Sequence, residues 1–267
     1  DYQTKPFSKG ELLARIKNHL QFSKITMAYG RFVPHEFLRL LDHESIVNVS
    51  LGDHVQKEMT IMFSDIRSFS TLSESMSPRE NFSFLNSYLT RITPPIRRNR
   101  GFIDKYIGDG VMALFPEQAE DALQAAIEMR EALNLYNSHR RNSGYVPIDI
   151  GVGIHTGTLI LGTIGSEDRM EGTVIADAVN LASRLESLTK VYGASIILSA
   201  ETLQHLPEPE KYGHRFLGRV QVKGKSQSVA IFEIFDGDVE PIRDMKARTR
   251  LEFERGIAFY SRRQFAE

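Results

Sequence analysis

Apolar residues in the middle of the chain are spaced first as in a strand and then as in a helix. The run at Met59–Phe63 predicts a buried strand that ends at Asp65. Ser77 and Pro78 then predict the start of a helix, with Ser77 as the N-cap and Pro78 in the first turn. The apolar face of this helix recurs every three or four residues, at Phe82, Leu85, Leu89, Ile92 and Ile96.

Gly108-Asp109-Gly110 lies between two β-prone runs, Phe102–Ile107 and Val111–Phe115, and predicts a hairpin. A second amphipathic helix follows, with apolar positions at Ala119, Ala122, Ala126, Leu133 and Tyr136. The later predicted elements are two strands at Ile148–His155 and Thr158–Ile164 around a turn at Thr156-Gly157, a helix from about Ala176 to Val191, and strands at Ser195–Leu198, Arg215–Val222 and Ser228–Phe235.

The order of the predicted elements from Glu58 to Ile164 is β-α-β-β-α-β. This order is typical of a ferredoxin-like sheet with helices on one face. The strands after Ile164 would extend the sheet and close the domain. We therefore expect an α+β domain with a ferredoxin-like βαββαβ core, extra strands and helices that flank the sheet.

A helix is predicted ahead of this domain. It is expected to begin near Ser8, an N-cap with Glu11 three residues later. Apolar residues then recur at Leu13, Ile16, Leu20 and Met27. This spacing suits a seam that pairs with a second copy of the chain, and it suits an ordinary amphipathic helix equally well.

The composition excludes several classes of protein. The 267 residues carry a formal net charge of -1, which offers no broad basic surface for nucleic acid or an anionic membrane. There is no cysteine, so disulfides and thiolate metal sites are excluded and a reducing, cytoplasmic location is expected. No apolar run approaches the roughly 20 residues that cross a bilayer. Because the first residue is not Met, we expect a soluble piece of a longer protein.

Asp65 and Asp109 are the strongest candidates for chemistry. An aspartate between two glycines is most often a turn residue, whereas a carboxylate that ends an apolar strand must be solvated, paired or metal-bound. In a ferredoxin-like sheet the first strand and the hairpin are neighbours, so the two carboxylates converge and can bind a hard divalent cation. Asn180 and Arg184 lie four residues apart on one helix, which suits phosphate recognition.

Three segments together resemble the catalytic domain of the class III nucleotidyl cyclases. They are Phe63–Phe69, Asp104–Asp109 and Thr173–Arg184, and the resemblance extends over roughly Glu58 to Gly237. It implies an enzyme that makes cyclic AMP or cyclic GMP from the nucleoside triphosphate. It also implies a homodimer whose active sites lie at the subunit interface and take residues from both chains.

The resemblance assigns roles to individual residues. Asp65 and Asp109 are similar to the metal pair, with the backbone carbonyl of Ile66 as a further ligand for two divalent cations, Mg²⁺ or Mn²⁺. Lys105 and Thr173 resemble the pair that reads the adenine edge of ATP; guanylyl cyclases typically have Glu and Cys there.

The remaining matched residues would contact the sugar and the phosphates. Asn180 resembles the residue that orients the ribose, and Arg184 the one that stabilises charge on the α-phosphate. Arg169 resembles a basic residue that contacts the terminal phosphates. Gly172 and Ala176 depart from the family pattern, which often has Tyr and Gly at these positions.

The first residues resemble the end of a bacterial receiver domain, with Lys5-Pro6 as its lysine and proline. This predicts an upstream receiver in the full-length chain and a link to a two-component phosphorelay. After Pro241 a charged amphipathic helix is expected to open a further module. The expected segments are a receiver remnant with its output helix at 1–22, a coupling segment at 23–57, the cyclase domain at 58–237 and a C-terminal helix at 238–267.

The function expected from these residues is adenylyl cyclase. A guanylyl cyclase is disfavoured by Lys105 and Thr173, and a diguanylate cyclase by the absence of a Gly-Gly-Asp/Glu-Glu-Phe segment. A catalytically silent, nucleotide-sensing dimerisation domain is the alternative from another class of protein. The intact pair of Asp65 and Asp109 argues against it.

Overall fold

The computed structural model describes residues 8–30, 32–166, 168–221 and 228–264. Lys5-Pro6, which suggested a receiver domain, lies outside the described residues. The chain forms two compact units. One unit is built from residues within 1–55 and 162–172, and the other from residues within 56–161 and 173–267.

The described residues form nine α-helices and eight strands, and most follow the predicted order. The helices are α1 (Lys9–Tyr29), α2 (His35–Leu40), α3 (Phe69–Glu74), α4 (Pro78–Ile92), α5 (Pro94–Arg98), α6 (Ala119–Asn142), α7 (Asp177–Tyr192), α8 (Ala200–Gln204) and α9 (Glu240–Ser261). The strands are β1 (His54–Ile66), β2 (Phe102–Ile107), β3 (Gly110–Phe115), β4 (Ile150–Ser166), β5 (Arg169–Ile175), β6 (Ile196–Ser199), β7 (His214–Gln221) and β8 (Ser228–Ile234). Two short 3₁₀ turns lie at Ile46–Asn48 and Pro209–Lys211.

Local sequence sets both ends of α4, and its start is as predicted. Ser77 Oγ accepts a hydrogen bond from the Glu80 backbone N–H, and Glu80 Oε2 accepts one from the Ser77 N–H at 2.8 Å. This reciprocal capping box satisfies two backbone donors that a helix start otherwise leaves free. The helix ends at Ile92, and a separate short helix starts at Pro94 because proline has no N–H to continue the ladder.

The strands form one sheet in the order β2-β3-β1-β4-β6-β8-β7, with β5 paired to β4. The first four positions are the ferredoxin-like arrangement, so the predicted α+β fold class is confirmed. Strands β6, β8 and β7 extend the sheet beyond β4, as the later strand patterns predicted. β3 is antiparallel to both β1 and β2, which brings the end of β1 beside the β2–β3 hairpin.

The two faces of the sheet are covered by different helices. On one face, Met62 and Ile66 of β1 pack in a core with residues of α4 and α6. Because side chains alternate along a strand, Asp65 belongs to the opposite face. Helix α7 packs closely on that face. Gly153 of β4 has no side chain, and a Cβ added to it would lie only 2.1 Å from the Glu186 backbone nitrogen of α7. Helices therefore flank both faces, not one.

The prediction of two strands around Thr156-Gly157 was wrong. Residues 150–166 form the single strand β4, and Thr156 is 6% exposed in the middle of it. Its hydroxyl bonds Thr60 Oγ1 at 2.9 Å and Thr202 Oγ1 at 3.2 Å. These partners are distant in sequence and hold the segment extended, so no turn forms. Strand β5, which pairs with β4, was not predicted at all.

Helix α9 is anchored to the sheet near its start. Lys246 is 7% exposed, and its ammonium lies 2.6 Å from Glu233 Oε1 and 2.5 Å from Asp238 Oδ2. Later in the helix, Glu254 Oε1 accepts a hydrogen bond from the Phe216 N–H of β7 at 3.0 Å. The proposed domain boundary at 238 stays a prediction.

Helix α1 has no buried residue. Ser8 caps it as predicted, since its Oγ accepts a bond from the Glu11 N–H at 3.5 Å. Leu13 and Met27 of the predicted seam are 57% and 64% exposed. Pairing of this seam with a second copy stays a prediction. None of the described helices combines the length and apolarity needed to cross a membrane.

Candidate active site

Asp65 and Asp109 lie next to each other, as the topology predicted. The pairing of Ser64 with Val111 places Asp65 beside Gly110, at the turn of the hairpin. A Cβ on Gly110 would lie 3.4 Å from Asp65 Oδ1 and 3.1 Å from the Ile107 carbonyl oxygen, so a glycine leaves room for the carboxylate. Asp109 Oδ2 accepts a hydrogen bond from the Ile66 N–H at 3.1 Å. The three residues predicted to bind metal are thus together.

The acidic pair is electrostatically strained. Burial, a hydrogen bond with Asp109 and the negative charge of Asp109 raise the pKa of Asp65 from its ordinary 3.8 to about 7. Two carboxylates this close cannot both ionise freely without a compensating charge. A proton or a bound cation can supply that charge, and binding of a cation would lower the pKa of Asp65 and release the proton.

The carboxylate oxygens of Asp65 and Asp109 are suitable ligands for divalent cations, although there are only two such side chains. No group of three or more His, Cys, Asp or Glu side chains in the described part of the chain could hold a metal. Two carboxylates are nevertheless the hard oxygen ligands that Mg²⁺ and Mn²⁺ take, and Mg²⁺ is commonly held by one or two carboxylates together with substrate phosphates. Asp65 and Asp109 fit that pattern.

Glu186 is a third carboxylate near the pair that the sequence reasoning missed. Burial raises the pKa of Glu186, and the charge of Asp109 raises it further, against the opposing charge of Arg67. The charge of Glu186 in turn adds to the raised pKa of Asp65. Helical periodicity was the available signal, because Glu186 follows Ala182 by four residues on the face that packs on β4.

Tyr88 of α4 lies fully buried on the other side of the sheet from Asp65. Burial raises the pKa of its phenol, and the charges of Asp109 and Asp65 add to this rise. The buried hydroxyl has no hydrogen-bond partner among the described residues. The phenol therefore stays neutral beneath the acidic pair.

Arg67 holds the chain that leaves β1 just after Asp65. Its Nη2 donates to the carbonyl oxygens of Ala194 at 2.6 Å and Thr189 at 3.3 Å, and its Nε lies 2.9 Å from Asp149 Oδ2. These contacts tie the end of β1 to the end of α7 and to the start of β4. The position of the Asp65 backbone is thereby fixed by residues distant in sequence.

Lys105 and Thr173 lie on different strands. Lys105 is in β2, the edge strand, and its ammonium is 3.4 Å from the carboxylate of Asp104. Thr173 lies in β5 and is half-buried. Both belong to the same compact unit as the acidic pair. Arg169 belongs to the other unit, where it is exposed. Its segment was expected to be a loop, but Arg169 is the first residue of β5.

Asn180 and Arg184 project away from their own sheet. The sheet-facing side of α7 is defined by Ala182 and Glu186, whose backbone atoms lie against Gly153. Each helical residue is rotated by about 100°, so Arg184 is rotated about 200° from Ala182. Both Asn180 and Arg184 are exposed. The structure therefore groups Asp65 with Asp109 and presents Asn180 with Arg184 on an outward surface.

This fold, with an acidic pair at the meeting of β1 and the β2–β3 hairpin, defines a class of nucleotide enzyme. The family described as "Adenylate and Guanylate cyclase catalytic domain" matches residues 53–234. The chain belongs to that family.

Curated relatives are similar over most of the chain. An adenylate cyclase of Anabaena cylindrica is 41% identical, over 85% of this chain and 47% of its own length. The terminal-differentiation specific adenylate cyclase of Dictyostelium discoideum is 40% identical, over 89% of this chain and 11% of its own. The chain thus spans less than half the length of these two relatives.

Solved structures of an adenylyl cyclase and of a guanylyl cyclase are both similar to this chain. The adenylyl cyclase CyaB from P. aeruginosa is 34% identical with a TM-score of 0.61, over 68% of this chain and 95% of its own. The guanylyl cyclase Cya2 is 33% identical with a TM-score of 0.58, over 67% and 92% of the two chains. Overall similarity therefore supports a cyclase without choosing the base.

Proposed function

We propose that this chain is the catalytic domain of an adenylyl cyclase, which converts ATP to 3′,5′-cyclic AMP and pyrophosphate as a homodimer. The observation that carries the proposal is the separation of two groups of residues within one chain. Asp65 and Asp109 converge beside the hairpin, whereas Asn180 and Arg184 face outward from α7. A second subunit that presents its α7 to the acidic pair would complete each site, so a dimer would hold two shared sites.

The acidic pair would hold two divalent cations, Mg²⁺ or Mn²⁺, with the carbonyl oxygen of Ile66 as a further ligand. When bound, the ions supply positive charge that acidifies the ribose 3′-hydroxyl and neutralises the triphosphate. Asp65 and Asp109 contribute by fixing that charge at one place. The hydrogen bond from the Ile66 N–H holds Asp109 in position for this task.

The outward residues of α7 would act on the substrate held by the partner. Arg184 places a permanent positive charge where negative charge grows on the α-phosphate, which stabilises the transition state more than bound ATP. Asn180, one helical turn earlier, would orient the ribose so that its 3′-oxygen is in line with the α-phosphorus. Arg169 is proposed to contact the terminal phosphates.

Lys105 and Thr173 would select the base. An ammonium and a hydroxyl can pair with the adenine edge, and a guanine edge would leave their polar groups mispaired. Asp104 orients the Lys105 ammonium from 3.4 Å away. A guanylyl cyclase remains the second candidate, because a solved guanylyl cyclase is 33% identical. The residue types at these two positions favour ATP.

The proposal also covers regulation and location. The segment before Ser8 resembles the end of a receiver domain, so we infer an upstream receiver that couples a phosphorelay to the cyclase. The exposed apolar residues of α1 support pairing of two such helices as the connection. A nucleoside triphosphate substrate supports a cytoplasmic location for the domain.

The test of the shared site is complementation between two inactive variants. Asp65→Ala and Arg184→Ala homodimers should each make little cyclic AMP from ATP, because each variant damages both sites. A mixture should recover up to about a quarter of the wild-type activity, since about half of the dimers are mixed and each has one intact site. Lys190→Ala, an exposed change on the same helix, should keep full activity. A mixture that forms heterodimers and stays inactive refutes the shared site.

A further inference from the structure

A surface cleft of about 700 Å³ lies between α3, α4 and the C-terminal end of α6. None of the residues predicted to bind metal or nucleotide lines it. Its volume is in the range of pockets that hold drug-sized ligands, about 300–1,000 Å³. The cleft is therefore a candidate site separate from the acidic pair.

Arg140 is fixed in the wall of this cleft. It is 6% exposed, and its guanidinium lies over the rings of Phe84 at 4.9 Å, Tyr145 at 5.6 Å and Tyr136 at 5.7 Å. Its Nε donates to the Val146 carbonyl oxygen at 2.8 Å. These contacts hold the plane of the guanidinium, so little rotamer entropy would be lost when it binds a ligand.

The two Nη groups of Arg140 have no hydrogen-bond acceptor in the described part of the chain. Among the described residues, the Arg140 guanidinium hydrogen-bonds from Nε to the Val146 carbonyl oxygen, and no ion pair or Nη hydrogen bond joins it to a described atom. A nearly buried arginine ordinarily has a carboxylate or several acceptors. Here the two Nη groups offer a bidentate donor to an anion from outside the protein.

The charge of the cleft favours an anion. Arg79 and Arg91 line it together with Arg140, against Glu80 as the one acidic lining residue. Glu80 is engaged elsewhere, because its Oε2 accepts hydrogen bonds from the Ser77 N–H and hydroxyl, which lower its pKa. Arg91 lies 5.2 Å over the Tyr136 ring. Arg91 Nη1 also donates to the Ser87 carbonyl oxygen at 2.9 Å and to the Ser87 hydroxyl at 2.8 Å. The three arginines of the lining outnumber its one carboxylate, so the cleft carries a net positive charge.

We propose that this cleft binds a small organic anion with a flat apolar body. Its carboxylate or phosphate pairs with the free Nη groups of Arg140 and with Arg91. Its apolar body packs against Leu72 and Met76 of the α3 side and against the Phe84 ring, which line the same cleft. Nothing in this binding requires the nucleotide chemistry proposed for the acidic pair.

The experiment is calorimetric titration of the whole chain with 2-naphthyl phosphate, with 2-naphthol and inorganic phosphate as partial probes. The wild type should bind the whole probe more tightly than either part. Arg140→Gln and Arg91→Gln should each weaken binding roughly tenfold to a hundredfold, the usual effect of losing one charged hydrogen bond. Arg141→Gln is the matched control, because it changes the next, exposed residue of α6.

Thermal melts establish whether each variant is folded, and Arg91→Gln tests the cleft if Arg140→Gln unfolds. The proposal is overturned if the wild type does not bind the probe, or if folded Arg91→Gln and Arg140→Gln bind as the wild type does. Equal binding of neutral 2-naphthol also overturns it. Loss of binding in Arg184→Ala would place the probe in the nucleotide site instead, and would leave the adenylyl cyclase proposal standing.

Discussion

Replacing Lys246 by methionine should destabilise the catalytic domain strongly, although the residue lies in the C-terminal helix. Its ammonium is the shared partner of Glu233 and Asp238, at 2.6 and 2.5 Å. Glu233 is fully buried, and its other oxygen lies 2.6 Å from Arg215 Nε. Methionine keeps most of the side-chain volume and removes the charge, so the effect reports the ion pairs rather than a cavity.

The magnitude follows from the partners that remain. Removing one member of a buried ion pair costs about 3–5 kcal/mol, because the other charge is left uncompensated. Glu233 keeps Arg215, and Asp238 keeps the Ser195 hydroxyl at 2.7 Å, so we expect the lower end, about 3 kcal/mol. For a chain of this size that corresponds to a fall in Tm of about 6–12 °C.

Urea unfolding followed by circular dichroism measures this change. Arg248→Met, an exposed position on the same helix, is the matched control and should alter stability by less than about 0.5 kcal/mol. A double-mutant cycle with Glu233→Gln should give a coupling energy of at least about 1 kcal/mol. If Lys246→Met is as stable as Arg248→Met, α9 is not fastened to the sheet by these pairs and the reasoning is wrong.

Three further predictions concern the acidic pair, the packing of α7 on β4, and the choice of base. The folded state of the metal-free chain holds the Asp65 proton up to about pH 7, whereas the unfolded chain releases it near 3.8, so this carboxyl lowers stability as pH rises between those values. Asp65→Asn should therefore raise the Tm at pH 8 and leave it unchanged at pH 3. Mn²⁺ should raise the Tm of the wild type and not that of the variant. Equal shifts of Tm at both pH values would contradict the assigned pKa. Gly153→Ala places a Cβ 2.1 Å from the Glu186 backbone nitrogen, so the free energy of unfolding in urea should fall by about 1–3 kcal/mol. Gly10→Ala is the control, because its Cβ would meet only Ser8 Oγ at 3.8 Å and should not destabilise the chain. Lys105→Glu with Thr173→Cys should shift the ratio of cyclic AMP to cyclic GMP made from mixed ATP and GTP towards cyclic GMP; an unchanged ratio refutes their proposed role.

The sequence by itself determined the features that depend on local geometry and on spacing. Ser77 with Glu80 defines the start of α4 because both capping bonds lie within four residues. Gly108 has a positive φ of 64° at the hairpin, a conformation that glycine adopts without strain. The βαββαβ order then brings Asp65 to Asp109, since neighbouring strands of this fold are fixed by its topology.

Only the tertiary structure decided the features that depend on contacts between distant residues. The Thr156 segment reads as a turn locally, yet hydrogen bonds to Thr60 and Thr202 hold it in one strand. The apolar period of α7 predicts that Leu181 and Leu185 are buried, as they are, but only the packing of α7 on β4 shows that Arg184 faces away from the acidic pair of its own chain. Likewise, the sequence does not distinguish Arg140 from the other charged residues of α6, whereas the structure places its guanidinium over three aromatic rings. Local sequence sets the caps, the hairpin and most of the elements, whereas long-range partners decide the exceptions, such as β4, and set what each side chain faces.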